Sequence, residues 1–249
     1  MILPLLLLAA TAQVGPPASA KDRYANCIEL AAREPAAAEA EASRWQLVGG
    51  GYLAHQCLGV AYSTEARWSA AAAEFEGAAR GAEIAKDKHS AGYWAQAGNA
   101  WLASGDPVKA RAALDAAIAA GTLTGLQRGE AHIDRARAFV ASGALDEARG
   151  DLDKALIDTP DDPHTWLLSA TLARRMSDLP RAQKDIAEAL RRASGDASVQ
   201  LEAGNVAALA GDEAGAKAAW SAAARLKPGS DIAQHAEDAL KQFDTPPAK

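Results

Sequence analysis

A small residue followed three positions later by a partner, and then by a small–bulky–small triplet, recurs five times along the chain. The first occurrence has Gly59 with Tyr62, then Ala71, Phe75 and Ala78, and the second has Gly98 with Trp101, then Ala110, Leu114 and Ala117. The third has Ala136 with Phe139, then Ala148, Leu152 and Ala155. The fourth has Ala170 with Ala173, then Ala182, Ile186 and Ala189, and the fifth has Gly204 with Ala207, then Ala216, Trp220 and Ala223. Apolar positions three, four and seven apart mark one face of a helix. Each occurrence therefore predicts two helices joined by a short turn. The leading residues Gly59, Gly98, Ala136, Ala170 and Gly204 are 39, 38, 34 and 34 residues apart. The two longer intervals predict inserted turns at 81–90 and 121–129.

Turn chemistry falls where the pattern needs it. Asp106-Pro107 and Asp162-Pro163 each place a capping carboxylate before a proline at the first helical position. Gly105, Gly143 and Gly211 sit where a left-handed cap closes the first helix of a pair, and Ser177-Asp178 fills the same turn in the fourth unit. Ahead of the five units, residues 23–33 and 35–48 predict a degenerate helical pair, followed by Gly49–Gly51 as a flexible hinge. After Pro228, residues 231–243 predict an amphipathic helix that covers the last unit, as repeat arrays require. Residues 244–249 read as a frayed tail.

A repeat of this length and phase is similar to the tetratricopeptide repeat family, whose unit is a helix–turn–helix of 34 residues. The resemblance spans residues 51–228, with five repeat-like units over 52–230. The chain departs from the family pattern where Ala173 and Ala207 replace an aromatic residue, and where the closing proline is kept only at Pro160 and Pro228. The resemblance implies an all-α, right-handed solenoid of helix–turn–helix units with a C-terminal capping helix. The recurring small positions are explained by packing: glycine inside a helix costs about 1 kcal/mol against alanine, so Gly59, Gly98 and Gly204 mark close helix approach. Tyr62, Trp101 and Phe139 are the expected knobs for the holes that small residues such as Ala71, Ala110 and Ala148 leave on the second helices, and Trp68, Trp94, Trp166 and Trp220 are read as packing residues.

The same resemblance implies a concave groove lined by the first helix of each unit. The residues it places there are Gln56, Asn99, Ile133, Arg137, Leu167, Thr171, Arg174 and Asn205. Arg137 and Arg174, with Arg175 nearby, suit fork binding of a carboxylate or an extended peptide. The competing reading pairs them with acidic neighbours such as Asp134. The lysines of a two-carboxylate clamp are absent from these positions.

The N-terminus changes the picture of where the chain works. Residues 2–12 are apolar and about the length of a signal-peptide core, too short for the ~20 residues that span a bilayer. Small-x-small sites at Ala10-Thr11-Ala12 and Ala18-Ser19-Ala20 predict cleavage after 12 or 20, so residues 1–20 read as a signal peptide and the mature chain as periplasmic. The n-region lacks Lys and Arg, which leaves an uncleaved interfacial anchor as the alternative and the one route to a membrane. In an exported protein the two cysteines, Cys27 and Cys57, suggest a disulfide; separate buried thiols are the alternative. In a stack of the implied kind both lie on first helices of neighbouring pairs, which suits the bond.

Composition supports the class and narrows the function. Alanine supplies 65 of 249 residues and aromatics only 5%, which favours helices over sheets. A net charge of −6 offers no basic footprint for nucleic acid. No nucleophile elbow, phosphate loop, dinucleotide fingerprint or zinc motif occurs. The five histidines show no metal-ligand spacing, and Asp158, Asp161 and Asp162 lack the spacing of a calcium loop. The sequence thus predicts a non-catalytic scaffold, without cofactor or metal, that binds a protein or peptide in its groove. The alternative is a structural or self-assembling subunit of a cell-envelope complex.

Overall fold

The computed structural model describes residues 19–244, so residues 1–18 of the predicted signal peptide and residues 245–249 lie outside the described residues. The described residues form thirteen helices: α1 (Ala20–Arg33), α2 (Pro35–Leu47), α3 (Gly51–Thr64), α4 (Trp68–Ile84), α5 (Ser90–Ala103), α6 (Pro107–Ala119) and α7 (Gly125–Ala141), followed by α8 (Leu145–Asp158), α9 (Pro163–Arg175), α10 (Leu179–Ala193), α11 (Ala197–Leu209), α12 (Glu213–Leu226) and α13 (Asp231–Asp244). Each helix packs on the next, and odd-numbered helices also meet one another, as α1 meets α3, α5 meets α7 and α11 meets α13. The result is a right-handed solenoid of helix pairs in two layers, with α13 closing the last pair.

Small residues let the layers nest. Ala71, Ala78, Ala110, Ala117, Ala148, Ala155, Ala182, Ala189, Ala216 and Ala223 are all fully buried, so the triplet seen in the sequence is the packing surface of each even-numbered helix. The leading glycines are met by the bulky centre of that triplet, while Tyr62 and Trp101 pack in the cluster that holds Ala71 and Ala110, and Phe139 in the one that holds Ala148. A Cβ placed on Gly59 would lie 2.6 Å from the Phe75 ring, and one on Gly98 or Gly204 would collide with Leu114 or Trp220. Each second helix thus returns across the middle of the first, and Tyr62 and Phe139, near the helix end, are half-buried. Trp220 is buried, and Trp68, Trp94 and Trp166 are half-buried.

The caps behave as the sequence predicts. Asp106 accepts from the Lys109 backbone N–H, and Asp162 accepts from those of His164 and Thr165. Gly105, Gly143 and Gly211 have φ of 81°, 77° and 79°, and Ser177 takes the same left-handed turn at 61°. Two expectations need correction. The longer intervals hold shorter turns than 81–90 and 121–129: the breaks fall at 85–89 and 120–124, and α4 and α7 each extend to 17 residues, so Gly81 and Gly129 are helical. Tyr52 and Thr159 pack over these two glycines, which lets the longer helices continue. Gly49–Gly51 is a packed turn rather than a hinge. The Gly50 N–H donates to the Trp45 carbonyl at 2.8 Å, and a Cβ there would meet Ala54 at 2.6 Å.

These contacts set opposite expectations for two glycines. Gly59→Val would overpack the Phe75 ring and lower stability by about 1–3 kcal/mol. Gly150→Ala, on α8 with nothing within 4 Å of the added methyl, should raise it by about 0.5–1 kcal/mol. Urea midpoints of the two variants, moving in opposite directions, check this assignment of close approach.

Candidate binding groove

The odd-numbered helices expose their inner face along one concave side. A groove of about 1290 Å³ runs there from α1 to α7, with Tyr24, Leu53, Tyr93, Leu123 and Ile133 among its apolar and aromatic lining. Side-chain amides of Gln56, Gln96 and Asn99 interrupt that lining. A smaller crevice of about 290 Å³ continues it between α7 and α9, and Ile133 and Arg137 line both.

Of the eight residues the sequence places in the groove, four line the main cavity: Gln56, Asn99, Ile133 and Arg137. Thr171 lines the crevice. Leu167, Arg174 and Asn205 line neither. Leu167 packs against the α9–α11 core. Arg174 is bound in fork fashion to Glu202, with Nε donating at 2.6 Å and Nη2 at 3.1 Å, and Asn205 donates to the same carboxylate at 3.2 Å. Glu202 is nearly buried, so this pair fastens α9 to α11 and its guanidinium is already occupied. The expectation that Arg174 offers a free fork is therefore corrected. No short-range pattern announces this pair, since its partners lie one helix pair apart, 28 residues along the chain.

Arg137 is committed to a lesser degree. Its Nη1 donates to Asp134 at 3.1 Å, and its side chain is 55% exposed. Asn99 donates to the other oxygen of Asp134 at 2.9 Å, so one carboxylate links α5 to α7 at the floor of the groove. Gln56 is buried, and its Oε1 has no partner among the described residues. A buried acceptor left unpaired costs about 1–3 kcal/mol, which a donor arriving in the groove would recover. At the rim, hydrogen bonds from the Tyr52 hydroxyl and the His89 backbone hold Asp87 at about 2, and burial pushes the Tyr93 hydroxyl upward.

Two histidine–carboxylate pairs follow the repeat. Counting each leading small residue as repeat position 8, His55 and His132 both fall at position 4. Each pairs with a carboxylate 19 residues on: His55 with Glu74 at 2.7 Å and His132 with Asp151 at 3.0 Å. The second pair is buried and joined by Arg135. A histidine followed 19 residues later by an acid, twice in phase, is the signal that could have found them. Among the described residues no group of three or more His, Cys, Asp or Glu side chains could hold a metal ion, and no helix is long and apolar enough to cross a membrane.

A two-layer helical solenoid whose first helices frame a concave groove defines a tetratricopeptide-like scaffold fold. Solved structures of that class superpose along most of the chain. The type IV pilus biogenesis factor PilW matches with a TM-score of 0.71 at 18% identity, over 90% of this chain and 98% of its own. Pseudomonas aeruginosa pilF matches at 0.69 and 17% identity, over 89% and 100%. The apo quorum sensor NprR from B. thuringiensis matches at 0.73 and 12% identity, over 90% and 70%. No protein-family model matches the sequence, and no curated protein does.

Proposed function

We propose that the protein is a non-catalytic scaffold subunit of a cell-envelope assembly that docks a segment of another protein in its concave groove. The observation that carries this reading is the groove itself. At about 1290 Å³ it exceeds the roughly 300–1,000 Å³ of small-molecule sites, and its lining mixes apolar and aromatic side chains with amides and with charged groups of both signs, among them Lys21, Glu130, Asp134 and Arg137. Amides that alternate with apolar patches suit the backbone and side chains of a peptide segment. The pilus-biogenesis description of PilW favours a role in an envelope assembly over that of a free-standing peptide receptor.

Export and periplasmic location belong to the same proposal. Ser19 caps α1, its Oγ accepting from the Asp22 N–H at 3.1 Å, so processing after Ala12 preserves the cap and processing after Ala20 removes it. Mass spectrometry of the mature chain checks this: a first residue of Gln13 agrees, and Met1 would sink the export reading.

Site-specific photo-crosslinking in the native envelope tests the docking face. A crosslinker at Asn99 or Leu126, both exposed and in the groove, is expected to give a discrete heterologous adduct, and one at Lys154, on α8 of the outer layer, is not. Adducts confined to Lys154 would overturn the groove assignment. An adduct of twice the chain's mass would instead support self-assembly, and light scattering at rising concentration would then show a dimer.

A further inference from the structure

We propose that the crevice between α7 and α9 docks a large apolar side chain of the partner segment that is flanked by a carboxylate. This rests on the reading that the groove holds a protein segment, and it adds which chemistry that segment carries. Ile133, Val140, Leu168 and Leu172 supply apolar walls, and Arg137 and Arg175 are the charged residues that line it. No acidic side chain lines the crevice. That is unusual for this molecule, whose net charge is −6 and whose arginines are mostly matched to carboxylates, as Arg23 is to Glu41, Arg128 to Asp158 and Arg181 to Asp185.

Arg175 is exposed and makes no ion pair or hydrogen bond among the described residues. Arg137 uses Nη1 on Asp134 and leaves its other guanidinium N–H groups without a bond among the described residues. A guanidinium presents five donors in a fork that matches a carboxylate. Two partly free forks beside an acid-free apolar slot are complementary to a carboxylate next to a hydrophobe. The volume of about 290 Å³ is at the foot of the range for ligand sites, which suits a side chain rather than a whole small molecule. Because Ile133 and Arg137 line the main groove too, a segment lying in that groove can turn one side chain into the crevice without leaving it.

Selection of a phage-displayed library of random decapeptides on the full chain tests the idea, with an Arg137→Glu, Arg175→Glu double variant as comparison. Both side chains are exposed, and far-ultraviolet circular dichroism verifies that the variant keeps its helices. Enriched peptides are expected to carry Asp or Glu within two positions of Leu, Ile, Met or Phe. By fluorescence anisotropy, changing that acid to its amide should weaken binding at least tenfold, and the double variant should show the same loss and no further loss with the amide peptide. Enrichment without acid bias, or equal binding of acid and amide peptides, overturns the crevice chemistry and leaves the peptide-docking reading standing. No enrichment at all overturns both. Binding of dodecanoate by isothermal titration calorimetry, lost in the double variant and with no peptide enriched, would assign the crevice to an anionic lipid tail and overturn the proposal as well.

Discussion

Asp151→Ala is expected to lower stability by about 3–5 kcal/mol at neutral pH, the usual loss when one partner of a buried ion network is removed. The Asp151 carboxylate is almost wholly buried. It accepts from Arg135 Nε at 2.6 Å and Nη2 at 2.7 Å, and pairs with His132 Nδ1 at 3.0 Å. Arg135 reaches on to Asp115 of α6 at 2.7 Å, so the network ties α6, α7 and α8 together. Without Asp151 the buried His132 and half of the Arg135 fork have no anion. Replacing the trio together, with Asp151→Leu, His132→Phe and Arg135→Met, should cost less than Asp151→Ala alone, because no charge is then stranded. Urea denaturation of the two variants checks the order.

The network also fixes a pH dependence. Burial pushes the Asp151 carboxyl up, but hydrogen bonds from Arg135 and His132 outweigh burial and hold it at about 2. A carboxyl lowered in the folded state contributes stability above its unfolded value of about 3.9, and that contribution is lost as pH falls through 2. The stability gap between the wild type and Asp151→Ala should therefore shrink between pH 4 and 2. A gap unchanged at pH 2 would show that the loss comes from the missing side-chain volume and not from the charge. Ile133 and Arg137, which line the groove, flank these residues on α7, so a loosened α7 should blunt binding before it unfolds the chain.

The architecture was legible because it is written in short-range, periodic terms. Alanine at repeat positions 20 and 27 and glycine at position 8 are demanded by helix nesting, and they recur at fixed spacing. The groove positions come from the family resemblance applied in that register, and of them Gln56, Asn99, Ile133 and Arg137 line the main cavity. What was not legible depends on side chains from different units. Arg174 looks free in sequence because Glu202 stands 28 residues away, and whether the two meet depends on the rotation of α11 against α9. The lengthening of α4 and α7 was hidden for a similar reason: Gly81 and Gly129 read as turn residues until Tyr52 and Thr159 are seen packed over them. His55 and His132 were hidden only by being judged for metal spacing, since their pairing obeys the repeat.

The Cys27–Cys57 disulfide makes the second large effect, and a local one. It joins α1 to α3 with a Cα–Cα distance of 6.0 Å across 30 residues of chain, among Ala42 and Leu58. Closing a loop of that length lowers the entropy of the unfolded chain by the equivalent of about 3–4 kcal/mol. In a repeat array each unit touches its neighbours, so the loss falls on the unit that is released. α1 packs on α2 and α3, with Arg23 paired to Glu41 at 2.8 Å as its further tie. A Cys27→Ala, Cys57→Ala variant should therefore speed backbone hydrogen exchange by two orders of magnitude or more in α1, with α7–α13 unchanged. Lys21 and Tyr24 belong to α1 and line one end of the groove. Groove-bound peptides that reach that end should then bind more weakly to the variant, and to wild type in dithiothreitol, while those confined to the α7–α9 crevice keep their affinity. Exchange that rises equally in α1 and α11 would mean that the array unfolds as one cooperative unit, and that the disulfide acts on the whole solenoid rather than on the groove's first wall.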